Sequence, residues 1–286
     1  LVIRKQGVEV EWATFETPFF SSAKARKAAR TANIPLTVEN ITEEYLRMLK
    51  NPNCGYGKNM NPCMDCHALM FKLAGAIMRE RGFHFLFSGE VLGQRPMSQT
   101  RPSLKYVEKH SGMKGYILRP LSAKRLDMTI PEQNGWVDRD RLLDITGRGR
   151  KRQIQLAKEF GIAEYPAPAG GCLLTDKGYS VRLKDMLERS CDIEERELHF
   201  LKFGRHFRTS TGAKIIVGRT REDNENMLVL RDPKKDAVLK TARYPGPIAL
   251  LASESGRGDI LLAASICAGY SKAPENFPAE VALESP

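Results

Sequence analysis

The sequence predicts an α/β protein built on a parallel sheet with crossover helices, residues 1–192, followed by a smaller α+β domain, residues 193–286. Short apolar strands alternate with amphipathic helices through the first part, the mark of parallel strands joined by helical crossovers. A strand at 83–87 delivers the small-residue turn Ser88-Gly89-Glu90-Val91-Leu92-Gly93-Gln94. Such a turn at a strand's carboxyl end is where open α/β sheets place their ligands. The element order then changes after a helix at 181–189, which sets the domain join near 193.

Taken in order, Leu1 to Gln6 reads as the last turn of a helix with Gly7 past its end, so the natural protein is expected to begin upstream. Residues 8–15 alternate as a strand, and Ser21-Ser22 cap an Ala-rich helix through Ala32. A strand at 36–38 and a helix opened by Thr42 follow. The pair Cys63 and Cys66 precedes an amphipathic helix at 67–81. Further helices are expected at 103–110, 138–146 and 151–160, with a strand at 117–118. The Pro- and Gly-rich stretch at 165–172 is a loop carrying Cys172. The second domain reads as strands at 198–203, 214–217 and 237–241, a short apolar segment at 248–251, a turn at 210–212, and helices at 222–228 and 259–270.

With 286 residues, 42% hydrophobic and 28% charged, the chain has the composition of a globular protein with room for two cores. No run of about eighteen apolar residues suggests a membrane-spanning helix. Lysine and arginine exceed aspartate and glutamate by 45 − 34 = 11, which favours a polyanionic partner, nucleic acid above all. Six cysteines without a visible export signal point away from a disulfide scaffold and toward thiol, metal or redox chemistry in the cytoplasm.

Cys63-Met64-Asp65-Cys66 brings two sulfurs within reach of one metal. A closed zinc site needs two more ligands, from Cys54, His67 or Cys172. A three-thiolate site of Cys63, Cys66 and Cys172 would instead hold a four-iron cluster with one open iron. The plain alternative is two small buried residues at a helix start. A helix amino end should also favour the Cys66 thiolate. Cys66-His67 completes the spelling of a c-type haem attachment, which the lack of an export signal disfavours. Cys54 lies in a loop expected to be mobile, and Cys191 and Cys267 sit in apolar helical contexts.

Asn61-Pro62-Cys63-x-x-Cys66, Ser88-Gly89-Glu90-x-Leu92-Gly93-Gln94-x-x-x-Ser98-Gln99-Thr100 and Leu118-Arg119-Pro120-Leu121 resemble the ATP-pyrophosphatase domain of tRNA thiolation enzymes. The likeness is to 4-thiouridine synthetases, with 2-thiouridylases as cousins, over roughly residues 1–175. It implies a doubly wound parallel sheet of the adenine nucleotide alpha hydrolase type. It also implies ATP and Mg2+, with Phe15, Pro18, Ser88, Gly89 and Gln94 lining the nucleotide. ATP would adenylate a uridine carbonyl oxygen, and sulfide or a persulfide would displace AMP. The sulfur would come from a donor by way of a [4Fe-4S] cluster on Cys63, Cys66 and Cys172, or with Cys66 and Cys172 as persulfide carrier and resolving thiol. The family's phosphate loop, Ser-Gly-Gly-x-Asp-Ser, is absent and expected upstream of Leu1, while Ser255-Gly256-Arg257-Gly258-Asp259 reads as a helix-capping turn.

Residues 201–207, 213–219 and 268–273, with Asn224-Glu225-Asn226, resemble the NFACT-R domain over about 195–283, a family linked to RNA, including tRNA. By that resemblance Lys202, Arg205, Arg208, Lys214 and Arg219 would contact phosphates, while Phe203 and Phe207 turn into the core. Arg148, Arg150, Lys151 and Arg152 form a basic run suited to tracking a tRNA backbone or to an ordinary solvated helix start.

Overall fold

The computed structural model describes residues 1–165, 171–190, 192–275 and 278–286. The chain divides into two units, Leu1–Ser180 and Val181–Pro286, each with a hydrophobic core of its own.

The first unit opens on a 3-10 turn, Arg4–Gln6, closed by Gly7 at φ 82°, a left-handed conformation that costs glycine nothing. Ile3, just ahead of this turn, is buried with Val10, Leu118 and Leu142. Strand β1, Trp12–Glu16, begins later than predicted and pairs in parallel with β2, Leu36–Asn40. The crossover is α1, Ala23–Ala32. Ser22 precedes it without capping it: its hydroxyl donates to Glu16 Oε2 at 2.5 Å and accepts from Arg26 Nε at 2.9 Å. Helix α2, Thr42–Lys50, is entered through Asn40, whose Oδ1 accepts from the Thr42 amide at 2.9 Å. Helix α3, Cys63–Glu80, leads to β3, Leu86–Phe87. Next comes α4, Arg101–His110, with Thr100 Oγ1 accepting from the Ser103 amide as its cap, and then β4, Ile117–Leu118, parallel to β3.

After α5, Ile130–Gln133, the helix predicted at 138–146 is replaced by a single 3-10 turn, Arg139–Arg141, and an extended segment. Asp138 captures the Asp140 amide at 2.9 Å as the amino cap of this turn, and Leu142 leaves it in an extended conformation. The amides of Leu143 and Ile145 then donate to the carbonyls of Pro120 and Leu121 at 2.9 and 2.8 Å, and Leu142 and Ile145 are buried by this lateral pairing. Helix α6, Lys151–Glu159, matches its prediction, and α7, Lys177–Arg189, starts four residues before the predicted 181. The division between the units falls inside α7, ahead of the predicted join at 193. Among the described residues the parallel strands stand as two separate pairs, β1 with β2 and β3 with β4.

The second unit includes α8, Glu195–Phe200, where the sequence predicts a strand. A reciprocal capping box between Glu194 and Glu197 commits this segment to helix and buries Leu198 and Phe200. An antiparallel sheet of order β5-β6-β8-β7-β9 follows. It comprises β5, Arg205–Arg208, β6, Lys214–Val217, β7, Asp236–Thr241, β8, Ile248–Ala252, and β9, Val281–Glu284. Strands β5 and β9 have no predicted counterpart. Helix α9, Arg221–Leu230, joins β6 to β7 and α10, Arg257–Gly269, follows β8. One sheet face, with Ile215, Val217, Leu239 and Leu251, packs on Ala263 and Cys267 of α10. The other, with Ile216, Val238 and Leu250, packs on Phe200 of α8 and Met227 of α9. Gly204 enters β5 at φ 69° with its α-carbon so close to Val217 that an added Cβ would lie 2.7 Å from the carbonyl oxygen. Gly256 sits at the amino cap of α10, so the run 255–259 is a turn into a helix, and Asp259 accepts from Thr211 Oγ1 at 2.9 Å. No helix among the described residues is long and apolar enough to cross a membrane.

Candidate functional site

Cys63 and Cys66 lie inside the first turn of α3, not ahead of it, because the Cys66 amide already donates to the Pro62 carbonyl at 2.8 Å. Cys63 Sγ accepts from Asn61 Nδ2 at 3.2 Å. Asp65, between the two thiols in sequence, faces elsewhere: its carboxylate accepts from the Cys54 amide at 2.8 Å and from the Tyr106 hydroxyl at 2.6 Å. Cys54 is exposed, and its loop is tethered to α3 through Asp65. Cys172 is brought in by the Leu173 amide, which donates to the Phe19 carbonyl at 2.9 Å.

The thiols sit close enough to influence one another. Burial pushes Cys66 up to about 12; its hydrogen bond with Tyr45 pulls the other way, but the neighbouring Cys172, Cys63 and Asp65 add to the rise. Burial likewise raises Cys172 to about 11, against the Leu174 backbone bond and with the help of Cys63. The expectation that the helix amino end favours the Cys66 thiolate is therefore corrected, since desolvation and like charge dominate here. The Tyr45 hydroxyl, buried beside the thiols, is also raised well above its ordinary value, first by burial and then by Cys66.

As a donor set, three thiols suit a soft metal or an iron–sulfur cluster. Their spacing is not that of ligands in place: among the described residues no three His, Cys, Asp or Glu side chains stand in metal-holding geometry. His67, considered as a zinc ligand, is instead bound through Nδ1 to Glu90 Oε1 at 2.8 Å. Much of the loop at 165–172 lies outside the described residues, as does Cys191. Cys267 is buried in the α10 core, as expected of a packing thiol.

One residue beyond Cys66, His67 lines an open cleft of about 1120 Å3 between the β1 and β3 pairs. Every residue from Val8 to Phe15 and from Arg81 to Glu90 borders it, so backbone edges as well as alternate side chains form the walls. Phe15, Ser88 and Gly89, expected to contact a nucleotide, are in those walls, whereas Pro18 and Gln94 are not. Gln94 bonds Gln153 of α6, Nε2 to Oε1 at 2.9 Å.

Behind the cleft sits a buried charge network that the sequence did not announce. Arg119, 3% exposed, donates from Nε to Glu90 Oε2 at 3.0 Å and also pairs with Glu108; Glu90 is itself 7% exposed. Burial alone would raise the Glu90 carboxyl, but its bonds and charge contacts with His67 and Arg119 outweigh that and hold it below its ordinary value. Ser88 Oγ adds a bond to Glu90 Oε2 at 3.2 Å. The network thus ties the turn after β3, the end of β4 and the first turns of α3 into one assembly. The signal lay in the Gly-Glu-x-Leu-Gly-Gln and Leu-Arg-Pro-Leu runs, but pairing Glu90 with Arg119 requires the parallel β3–β4 register.

Of the basic run, Arg150 lies over the Tyr165 ring at 5.6 Å, Arg152 pairs with Glu159, and Arg148 and Lys151 are exposed. In the second unit most predicted phosphate contacts are engaged within the protein. Lys202 Nζ bonds His199 Nδ1 at 2.7 Å, Arg205 lies over Tyr270 at 4.4 Å, Arg208 is paired with Asp185, and Arg219 bonds Asp223 at 3.0 Å. Phe207 packs against the α10 core as expected, and Phe203 against the opposite core from outside any strand.

Residues 204–286 match the family model described as NFACT protein RNA binding domain. The second unit is similar to an NFACT RNA-binding module. The match lies within that unit and covers less than half of the chain. Among solved structures, the C-terminal part of the fibronectin/fibrinogen-binding protein from Streptococcus suis is found at 13% identity, over 77% of this chain and 74% of that one, with a TM-score of 0.26. A likeness at that score carries no argument about fold. No curated protein matches the chain.

Proposed function

We propose that the chain is an ATP-dependent tRNA sulfurtransferase that makes thiouridine. The observation that carries this is the convergence of Cys63, Cys66 and Cys172 one residue from the wall of a cleft bordered by Ser88, Gly89 and Glu90. The NFACT-like module supplies an RNA-directed partner to that chemistry.

A uridine carbonyl oxygen would attack the α-phosphate of ATP, releasing pyrophosphate and leaving an O-adenylated ring that has given up its ring N–H proton. Hydrosulfide would then add at that carbon, the C–O bond would break with AMP leaving, and the sulfhydryl proton would return to the ring nitrogen. When bound, a [4Fe-4S] cluster on Cys63, Cys66 and Cys172 would supply an open iron for sulfide, and Mg2+ would neutralise pyrophosphate. The chain's own residues do the positioning. Phe15, Ser88 and Gly89 would bind the nucleotide, the Glu90–Arg119–Glu108 network fixes the turn that carries them, and Tyr45 holds Cys66 by its hydrogen bond.

A second reading, a non-catalytic RNA-binding protein, is favoured by the confinement of the family match to residues 204–286. Mass spectrometry of nucleosides from a deletion strain separates the two. Loss of a thiouridine that returns with the wild-type gene and not with Cys66→Ala supports the enzyme; unchanged thiouridines overturn it. Iron content and visible absorbance of anaerobically purified protein decide whether the thiols hold a cluster or pass a persulfide.

A further inference from the structure

Lys214 opens β6 directly across from Arg208 of β5. Because Phe207, Ile215 and Val217 pack toward α10, strand alternation turns His206, Arg208, Lys214 and Ile216 to the opposite face. The neighbouring cations are engaged by the protein. Arg208 is paired with Asp185 of α7 and donates from Nη1 to the Gly212 carbonyl at 2.9 Å, and Arg182 of α7 donates to the Gly204 carbonyl at 3.3 Å. Lys214, by contrast, makes no side-chain hydrogen bond or ion pair among the described residues. Its amine is lowered to about 8, by burial first and then by the charge of Arg208; Glu197 and Asp185 act in the opposite sense without restoring it.

Beside Lys214 opens a cleft of about 450 Å3, whose other cations are Arg196, Lys234 and Lys235. The carboxylates lining it are Glu197, Asp236 and Glu254. Two of them are already used: Glu197 accepts from the Glu194 amide at 3.0 Å, and Asp236 pairs with Arg196. What remains is a largely desolvated ammonium at the wall of a small cleft with no counter-ion of its own among the described residues. A charge in that state is costly until an anion reaches it, and a partner that brings one removes the cost on binding.

We propose that this cleft is a phosphate site of the RNA-binding module, taking one phosphodiester group of an RNA backbone with Lys214 as its contact and Lys234 at its rim. The proposal rests on the RNA-binding reading of this unit. A backbone contact of this kind positions RNA without reading its sequence and releases about one condensed counter-ion.

The test is binding of the full chain to a fluorescent, unmodified tRNA transcript across a range of salt, for the wild type, Lys214→Gln and Lys214→Arg, with inorganic phosphate as competitor. Lys214→Gln is expected to weaken binding alike for unrelated RNA sequences and to reduce the slope of log K against log salt by about 0.7–0.9. Lys214→Arg should keep the slope. The groups facing Lys214 are Arg182 and Asp185 from α7, Glu197 from α8, and His206 and Arg208 from β5. His206 is held near 3, chiefly by burial and then by Lys214 itself, and carboxylates and guanidinium groups ordinarily titrate far from neutrality. The wild type should therefore lose affinity between about pH 7 and 9, and Lys214→Arg should not. If the Gln variant does not fold, this pH profile decides. A slope unchanged in a folded Lys214→Gln, or inorganic phosphate that binds at Lys214 without displacing RNA, overturns the proposal. Absence of RNA binding by the wild type overturns the RNA-binding reading itself.

Discussion

The thiol site of the first unit and the Lys214 cleft of the second are built on opposite charges and the same physics. In the first, Cys66 and Cys172 are gathered with Cys63 where burial and like charge resist their ionisation, which the proposed cluster would relieve. In the second, an amine is gathered with arginines where burial and repulsion resist protonation, so an anion relieves it. Elsewhere the molecule neutralises buried charge internally, as in the Glu90–Arg119–Glu108 network. The difference separates charge that holds the fold together from charge left for a ligand.

On the proposed function, the largest effects should come from removing the thiols. Cys66→Ala or Cys172→Ala is expected to lower thiouridine formation by about two orders of magnitude or more while leaving RNA affinity unchanged, as nucleoside mass spectrometry and binding assays would show. If both activities fall together, the two sites are not independent. Next comes the internally neutralised network. Glu90→Ala leaves Arg119 with Glu108 as its carboxylate partner and with a second buried nitrogen, Nε, unpaired beside Nη2, and should cost about 1–3 kcal/mol in urea unfolding. Because the folded carboxyl lies below its ordinary value, this contribution is full above about pH 4.5 and fades as the pH falls through the folded value. The variant should accordingly lack that part of the wild type's acid sensitivity.

Lys214→Gln should move stability the other way. The folded amine titrates near 8 against 10.5 ordinarily, so the unfolded chain binds more protons between these values. The destabilisation is fully present below about pH 8 and is lifted as the pH rises toward 10.5. Removing the charge should stabilise the protein by roughly 1–3 kcal/mol at pH 7 even as it weakens RNA binding. A Lys214→Gln variant that loses stability would place Lys214 with the structural charges. The smallest effect is expected at Cys267. It is a buried thiol whose Sγ donates to the Pro247 carbonyl at 3.3 Å, and Cys267→Ala should cost about 1 kcal/mol in thermal unfolding with thiolation intact.

How much of this was legible depends on the range over which each signal acts. Local signals served well: Gly7 ends its turn, and α4, α6 and α9 lie close to their predicted positions. Residues 198–203 suggest a strand by apolar content, which a short amphipathic helix shares, while the deciding pair Glu194 and Glu197 lies just ahead. Strand β5 is hidden because its polar residues, Arg205, His206 and Arg208, break the apolar pattern a buried strand usually shows. Residues 138–146 are largely extended because their partners, Pro120 and Leu121, are remote in sequence. In the first unit, the spacing of Cys63 and Cys66 is visible at once. What no sequence window contains is the approach of Cys172, the bond between His67 and Glu90, or the isolation of Lys214 beside paired arginines.

Holding Cys66 and Cys172 protonated has a chemical consequence of its own. Peroxide and alkylating agents attack the thiolate, so these two are slow targets in the free protein, while Cys54 is the exposed cysteine among the described residues. The fold thereby keeps both sulfurs chemically quiet, and brief treatment with iodoacetamide at neutral pH should label Cys54 well before either of them.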